Sequence, residues 1–191
     1  MNLKKNFVLT ISIILFHDLV LSPSCVFPQE PVPEMLRYGA QVGYGEGLHP
    51  GIDYTLPIGS PILAVSDGIV VDVREPCKDQ YYCGGIGVIV KHSENFFSFY
   101  FHLSSTSVTA GESIIRGERL GLSGKSTSGW RHLHFGLLKN AKEGSPGKFS
   151  QSYDPKNYWL NGKPQCFLPQ KDYSQNTIKE ITFPVECDAP K

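Results

Sequence analysis

Hydrophobic positions along the chain fall into short runs that are separated by glycine-containing turns. Runs rich in β-branched and aromatic side chains cover residues 61–65, 68–73, 87–91 and 96–101. Runs of this length and composition are typical of strands. No window of twelve or more residues shows an apolar stripe at helical spacing. The pattern predicts a mainly β domain at residues 38–160, folded as a compact antiparallel sandwich or barrel-like structure with irregular termini.

The first 24 residues have the pattern of a secretory signal peptide. Lys4 and Lys5 precede an apolar run at residues 7–16, and small residues follow at 22–24. Polar residues at 17–18 end the apolar run, which makes it too short for a transmembrane span. The prediction is an exported protein of the periplasm, cell envelope or extracellular space. A buried or membrane-anchoring N-terminal helix is the alternative.

Two further segments flank the predicted domain. Residues 25–37 contain three prolines and no periodic pattern, which predicts a stiff extended leader. Residues 161–191 are polar and contain prolines, and we expect a C-terminal tail that a disulfide could staple to the domain.

The five cysteines agree with export. Cys25 stands where the signal peptide would end, and residues 21–25 loosely resemble a bacterial lipobox, although proline at position 23 is a departure. Lipidation of Cys25, which would give a lipid anchor, is therefore one alternative. The other four cysteines allow three pairings, and proximity in sequence favours Cys77 with Cys83 and Cys166 with Cys187. Free thiols are the alternative.

Charge adds one exclusion. The chain has 191 residues, with 18 basic and 18 acidic side chains and a formal net charge of +0. This balance gives no electrostatic reason to expect nucleic acid as a partner. The length suits one domain with a core, plus tails.

Four of the six histidines lie in three short motifs beside one aspartate. His132 and His134 are two residues apart in an alternating run, so both should point to the same face of a strand. His49 and Asp53 flank a Pro-Gly turn that enters a strand. His102 closes the predicted aromatic strand 96–101, so we expect it at a sheet end where a cleft could open. Imidazole and carboxylate are ligands that zinc prefers, and imidazole is also a good general base. The group predicts metal-assisted hydrolysis; surface histidines and an ordinary turn are the alternatives.

His92 follows another predicted strand, and we assign it a structural role.

Two histidines and a carboxylate on a β scaffold also describe the facial triad of non-haem iron oxygenases. Such an oxygenase is thus a second hypothesis for the same residues.

The ordered motifs between residue 48 and about residue 160 resemble the M23 family of zinc metallopeptidases, the lysostaphin or LytM type. The similar stretches are His49-x-x-x-Asp53 and residues 59–70, 100–104, 117–124 and 132–135. One departure lies at residues 125–131, which are slightly compressed. Trp130 and Arg131 stand there where small residues or proline are usual. This departure concerns the adjoining substrate subsite.

The resemblance implies a β fold of the duplicated hybrid motif type and one zinc ion per chain. By position, it implies that His49, Asp53 and His134 bind the metal and that His102 and His132 are catalytic histidines. His132 is the first choice for the general base and His102 for the oxyanion donor, and the two could share these duties.

The implied function is that of an exported zinc endopeptidase that cuts peptide stems or cross-links of bacterial peptidoglycan. The implied partner is thus a peptidoglycan peptide. A non-enzymatic alternative is a peptidoglycan-binding or hydrolase-activating module, in which catalysis is dispensable.

Overall fold

A computed structural model describes residues 37–75, 85–139 and 148–186 of the chain. Nearly all regular structure in these residues is extended. The strands are β1 (Ile52–Tyr54), β2 (Pro61–Leu63), β3 (Gly68–Arg74), β4 (Ile86–Ser93), β5 (Phe96–Thr106), β6 (Ser113–Ile114), β7 (Arg119–Lys125), β8 (Arg131–Leu138) and β9 (Ser152–Tyr153). Short 3-10 helices cover Phe149–Gln151, Pro155–Asn157 and Leu160–Gly162. The predicted mainly β fold is confirmed.

All strands belong to one antiparallel sheet, in the order β1-β8-β7-β5-β4-β3-β6, with β2 beside β7 and β9 beside β8. The strands β5, β7 and β8 pair with one another in all three combinations, so the sheet curls on itself there. This arrangement is possible because β5 is 11 residues long. Its first half pairs with β8 and its second half with β7.

Side-chain alternation along β5 supplies two apolar clusters. Phe96 and Tyr100 point into the main core. Phe99 and Phe101 point to the opposite face, where they form a second buried cluster with residues of β4 and β8. Full burial of one such aromatic side chain contributes about 2–3 kcal/mol relative to exposure. The second cluster supports the functional residues described below.

The C-terminal segment packs onto the domain. Ile181, Phe183 and Val185 are buried in the main core, and the backbone N–H of Leu63 in β2 donates to the carbonyl of Pro184 at 2.9 Å. All five residues 181–185 are buried, including Thr182 at 0% exposure, so this part of the tail belongs to the packed domain. The predicted domain boundaries remain predictions.

Several sequence predictions lie outside the described residues. These are the signal peptide, the leader up to residue 36, lipidation of Cys25, and the cysteines at 77, 83 and 187. Cys166 is 7% exposed and is not a free thiol. The other cysteines lie outside the described residues, so both pairings stay predictions. Among the described residues, no helix has the length and apolar character needed to cross a membrane.

A buried chain of polar groups runs through the core at His92. Its Nδ1 lies 2.7 Å from the carbonyl oxygen of Asp67, and its Nε2 lies 2.7 Å from Oγ of Ser98. Oγ of Ser98 lies 2.9 Å from the hydroxyl of Tyr100, which accepts from the N–H of Val65 at 3.1 Å. The Asp67 carbonyl can only accept, so Nδ1 carries the hydrogen, and a neutral imidazole leaves Nε2 to accept from Ser98. His92 fits the core in its neutral form.

We expect His92 to make the protein less stable as the pH falls. Burial lowers the pKa of His92 from 6.5 to about 4; its hydrogen bond to Asp67 opposes this shift, and the charge of Arg116 adds to it. Between these two pKa values the unfolded chain binds a proton that the folded chain does not. The free energy of unfolding therefore falls by up to about 3 kcal/mol across this window, and the loss is absent above it.

Denaturant unfolding of the wild type and of His92→Gln, from neutral pH down to about 4, measures this loss. Other titrating groups contribute equally to both proteins, so the difference between their slopes isolates His92. Parallel slopes would contradict the assignment.

Candidate metal centre

Strand pairing brings Asp53 and His134 together. Asp53 in β1 is the direct partner of His134 in β8, and side chains of direct partners lie on the same face of a sheet. The alternating residues Leu133 and Phe135 are fully buried in the main core. The prediction that His132 and His134 share one face of a strand is therefore confirmed.

His49 reaches the same place from a short hairpin. The backbone of His49 pairs with that of Gly39 and Ala40 at 2.9 and 2.8 Å, and the Pro-Gly turn after it leads into β1, as predicted. Gly51 is required in this turn, because a Cβ atom there would collide with the carbonyl oxygen of Phe135. The missing side chain lets the chain pass directly against β8.

Three potential ligand atoms converge at this point. Nε2 of His49 lies 3.0 Å from Nδ1 of His134. Oδ1 of Asp53 lies 2.7 Å from Nδ1 of His134 and 3.2 Å from Nε2 of His49. Ligand atoms of a tetrahedral zinc ion, each about 2.0–2.1 Å from the metal, stand about 3.3 Å apart. The spacing and the donor types thus fit one such ion.

Protonation also suits metal binding. Nδ1 of His49 lies 3.0 Å from the carbonyl oxygen of Arg37. Nδ1 must donate there, so the neutral ring keeps a lone pair on Nε2, which faces the other ligands. Burial acts to raise the pKa of Asp53, but its close contacts with His134 and His49 outweigh burial and hold the pKa well below its usual range. Burial lowers the pKa of His134, against the opposing effect of Asp53.

The two remaining histidines lie beside these ligands. Nε2 of His132 is 3.6 Å from Oδ2 of Asp53, and its Nδ1 donates to the carbonyl of Trp130 at 3.1 Å. The ring of His102 meets the ring of His132 edge to face, with centroids 4.4 Å apart, and lies 5.9 Å from the ring of His134. All five residues singled out in the sequence therefore come together.

One expectation about His102 is wrong. It does not close a strand after the aromatic run, because β5 continues to Thr106. His102 instead has a backbone φ of 66° inside that strand, where a local irregularity turns its side chain toward the other histidines. The polar residues after Leu103 conceal the continuation in the sequence.

Sequence reasoning missed the two carbonyl groups that orient the histidines. They belong to Arg37 and Trp130. A backbone acceptor depends on chain path rather than on residue type, so nothing in the sequence could have identified either. Trp130 is also an exposed large side chain, at 55%.

Comparison with known proteins gives a consistent result. The profile of peptidase family M23 matches residues 47–146. The peptidoglycan DD-endopeptidase ShyA of Vibrio cholerae is 37% identical over 92 residues, which is 47% of this chain and 20% of that protein. The uncharacterized lipoprotein YgeR of Escherichia coli is 29% identical over 123 residues, or 63% of this chain and 44% of that protein. The chain thus spans less than half the length of either relative.

A solved structure is similar over most of its length. The catalytic domain of the antimicrobial peptidase lysostaphin from Staphylococcus simulans is 30% identical, with a TM-score of 0.55, and the match covers 64% of this chain and 87% of that domain. The profile match spans more than half of the chain, and it contains the converging histidines and aspartate. The chain belongs to peptidase family M23.

Proposed function

We propose that this protein is an exported, zinc-dependent endopeptidase that hydrolyses peptide bonds in the stems or cross-links of bacterial peptidoglycan. The observation that carries the proposal is the convergence of His49, Asp53 and His134 around one point, with two further imidazoles beside it. Family membership supports peptide hydrolysis. The name of ShyA, a peptidoglycan DD-endopeptidase, supports the substrate class.

The ligand set leaves room for catalysis. His49, Asp53 and His134 offer three ligand atoms within 4.8 Å of one another, and a tetrahedral ion with three protein ligands keeps one position open. When bound, zinc supplies Lewis-acid activation of a water molecule and of the scissile carbonyl. The protein's own part is to hold these ligands in their neutral imidazole and carboxylate forms.

His132 is placed to move the proton. Its Nδ1–H is held by the carbonyl of Trp130, so in the neutral ring Nε2 is the basic atom, and it faces Asp53. Nε2 would accept a proton from the attacking water and deliver it to the leaving amine. His102, in contact with His132, would donate a hydrogen bond to the developing oxyanion. The adjacent rings would let the two histidines exchange these duties.

Export belongs to the same proposal. The sequence pattern of residues 1–24 supports secretion, and the relative YgeR is named a lipoprotein, which supports a lipid anchor at Cys25.

The presence of all five site residues argues against a module that keeps only the fold. Zinc rather than iron follows the family, and a metal analysis of the purified protein separates the two.

Digestion of purified cell-wall sacculi tests the function. The full chain, purified after export from a bacterial host, should release soluble wall fragments. After muramidase digestion, mass spectrometry should find one peptide bond hydrolysed in each new muropeptide. A chelator should stop the release and added zinc should restore it. His49→Ala should lower the rate by more than about 100-fold, since it removes a ligand and not only a supporting group. Equal release by wild type and His49→Ala would refute the zinc mechanism.

A further inference from the structure

The strand β5 changes partners at His102. Its residues up to Phe101 pair with β8, and its residues from Leu103 pair with β7. On its other side, Tyr100 is paired with Val88 and Leu103 with Ile86. Two residues of β5 therefore lie opposite a single residue of β4, which is a β-bulge. Bulges redirect side chains, and here the bulge directs His102 toward His132.

The backbone at this bulge is unusual for a histidine. The φ of 66° lies in the left-handed region, which residues with a side chain seldom adopt and which persists only when the surroundings enforce it. The neighbouring strands must therefore hold His102 in place.

Two glycines enclose the backbone of His102. A Cβ atom on Gly124, in β7, would lie 2.6 Å from the carbonyl oxygen of His102 and 2.7 Å from the nitrogen of Ser104. A Cβ atom on Gly85, just before β4, would lie 3.1 Å from Cα of His102 and 3.2 Å from the oxygen of Leu103. The chain thus approaches His102 from both sides, more closely than a side chain would allow at Gly124 and tightly at Gly85.

Gly124 also pairs with the second histidine. It is the direct partner of His132 in the β7–β8 ladder, so this one residue contacts the backbone of His102 and sets the position of His132. We propose that Gly124, assisted by Gly85, is a positioning residue that fixes the separation of the two non-ligand histidines. The inference deepens the proposed function and rests on it for its catalytic consequence.

Gly124→Ala tests the proposal directly. Relief of the collision requires the two backbones to move apart, and a misplacement of about 1 Å at a reacting group can cost about 100-fold in rate. We expect kcat to fall about 10- to 100-fold, with KM nearly unchanged and one zinc ion still bound per chain. None of the three ligand residues is a ladder partner of Gly124 or meets the added Cβ atom, so the metal should stay bound.

Gly121→Ala is the matched control on the same strand. A Cβ atom at Gly121 would collide with the carbonyl oxygen of Ser105 and lie 3.1 Å from Cα of Thr106, so the backbone conflict is similar but does not involve either histidine. The folded fraction of Gly121→Ala should keep the wild-type kcat. An equal loss of kcat in both variants would overturn the proposal.

Gly85→Ala is a milder probe that remains informative if Gly124→Ala does not fold. Its contacts require shifts of only a few tenths of an ångström, and we expect kcat to fall several-fold. Gly111→Ala is its control. Gly85 and Gly111 both have a positive φ, of 79° and 92°, but a Cβ atom on Gly111 would have nothing within 4 Å. Unchanged kcat in Gly85→Ala, or the same loss in Gly111→Ala, would refute the role of Gly85.

A structural measurement separates this inference from the proposed function. In the zinc-loaded protein, NMR cross-peaks between the rings of His102 and His132 should be strong in wild type, Gly121→Ala and Gly111→Ala, and weakened in Gly124→Ala and Gly85→Ala. This pattern without any peptidase activity in the wild type would refute the proposed function and leave the positioning role standing. Undiminished cross-peaks together with full kcat in Gly124→Ala would refute the positioning role alone.

Discussion

Replacing Asp53 with alanine should abolish metal binding and, with it, peptide hydrolysis. Asp53 supplies the only carboxylate among the three converging ligands, and its Oδ1 contacts both His49 and His134. Its loss removes one ligand atom and the negative charge that offsets the metal. Loss of a group that only supports a ligand typically lowers metal affinity by up to about 100-fold. Asp53 is itself a ligand, so we expect zinc affinity to fall further than that.

Zinc titration with a competing chelator measures this affinity, and sacculus digestion measures the rate. Asp53→Asn separates charge from shape, because the amide keeps the side-chain volume while losing the charge. Asp72→Ala is a control: its side chain is 42% exposed and pairs with Arg74 in β3, and its removal should alter neither quantity. Wild-type zinc affinity in Asp53→Ala would show that the metal binds elsewhere.

The local part of this centre was predictable from the sequence. Alternation in residues 131–138 places His132 and His134 on one face, and the structure confirms it by burying Leu133 and Phe135 on the other. The Pro-Gly turn after His49 was equally visible. These features depend only on residues close in sequence, where periodicity and turn chemistry act directly.

The long-range part was not predictable from residue patterns alone. Asp53 and His134 are 81 positions apart, and nothing in either strand specifies that they become direct partners. The order of the motifs, through the family resemblance, supplied that information. The left-handed conformation of His102 was also hidden, since it arises from a change of strand partners and from glycines on two other segments.

At the C-terminal segment the sequence prediction and the structure differ for another reason. Overall polarity predicted a tail, yet Ile181, Phe183 and Val185 alternate with other residues and are buried in the main core. A period of two was present in the sequence, but it covers only five residues and contains Pro184, which weakens any strand prediction. The segment makes isolated bridges, Val185 with Ile62 and Ile181 with Trp159.

His132→Ala should remove catalysis while leaving the metal in place. His132 contributes no atom to the converging ligand set, and its Nε2 stands 3.6 Å from Asp53. Loss of a positioned general base costs about 10²–10⁴-fold in rate. We therefore expect the rate of cleavage to fall in that range, with one zinc ion still bound at close to wild-type affinity. The same zinc titration and muropeptide assay provide both numbers.

Zinc binding distinguishes this variant from Asp53→Ala, since His132→Ala should keep the zinc ion and Asp53→Ala should lose it. Arg131→Ala serves as the control within β8, because Arg131 is exposed and alternation points its side chain away from the metal centre. Loss of zinc in His132→Ala would make His132 a ligand. Undiminished cleavage would assign proton transfer to His102, whose ring lies beside that of His132 with centroids 4.4 Å apart. We expect His132→Ala to lose cleavage, to keep its zinc and to be as stable as Arg131→Ala. This result fits a general base that the carbonyl of Trp130 holds in place.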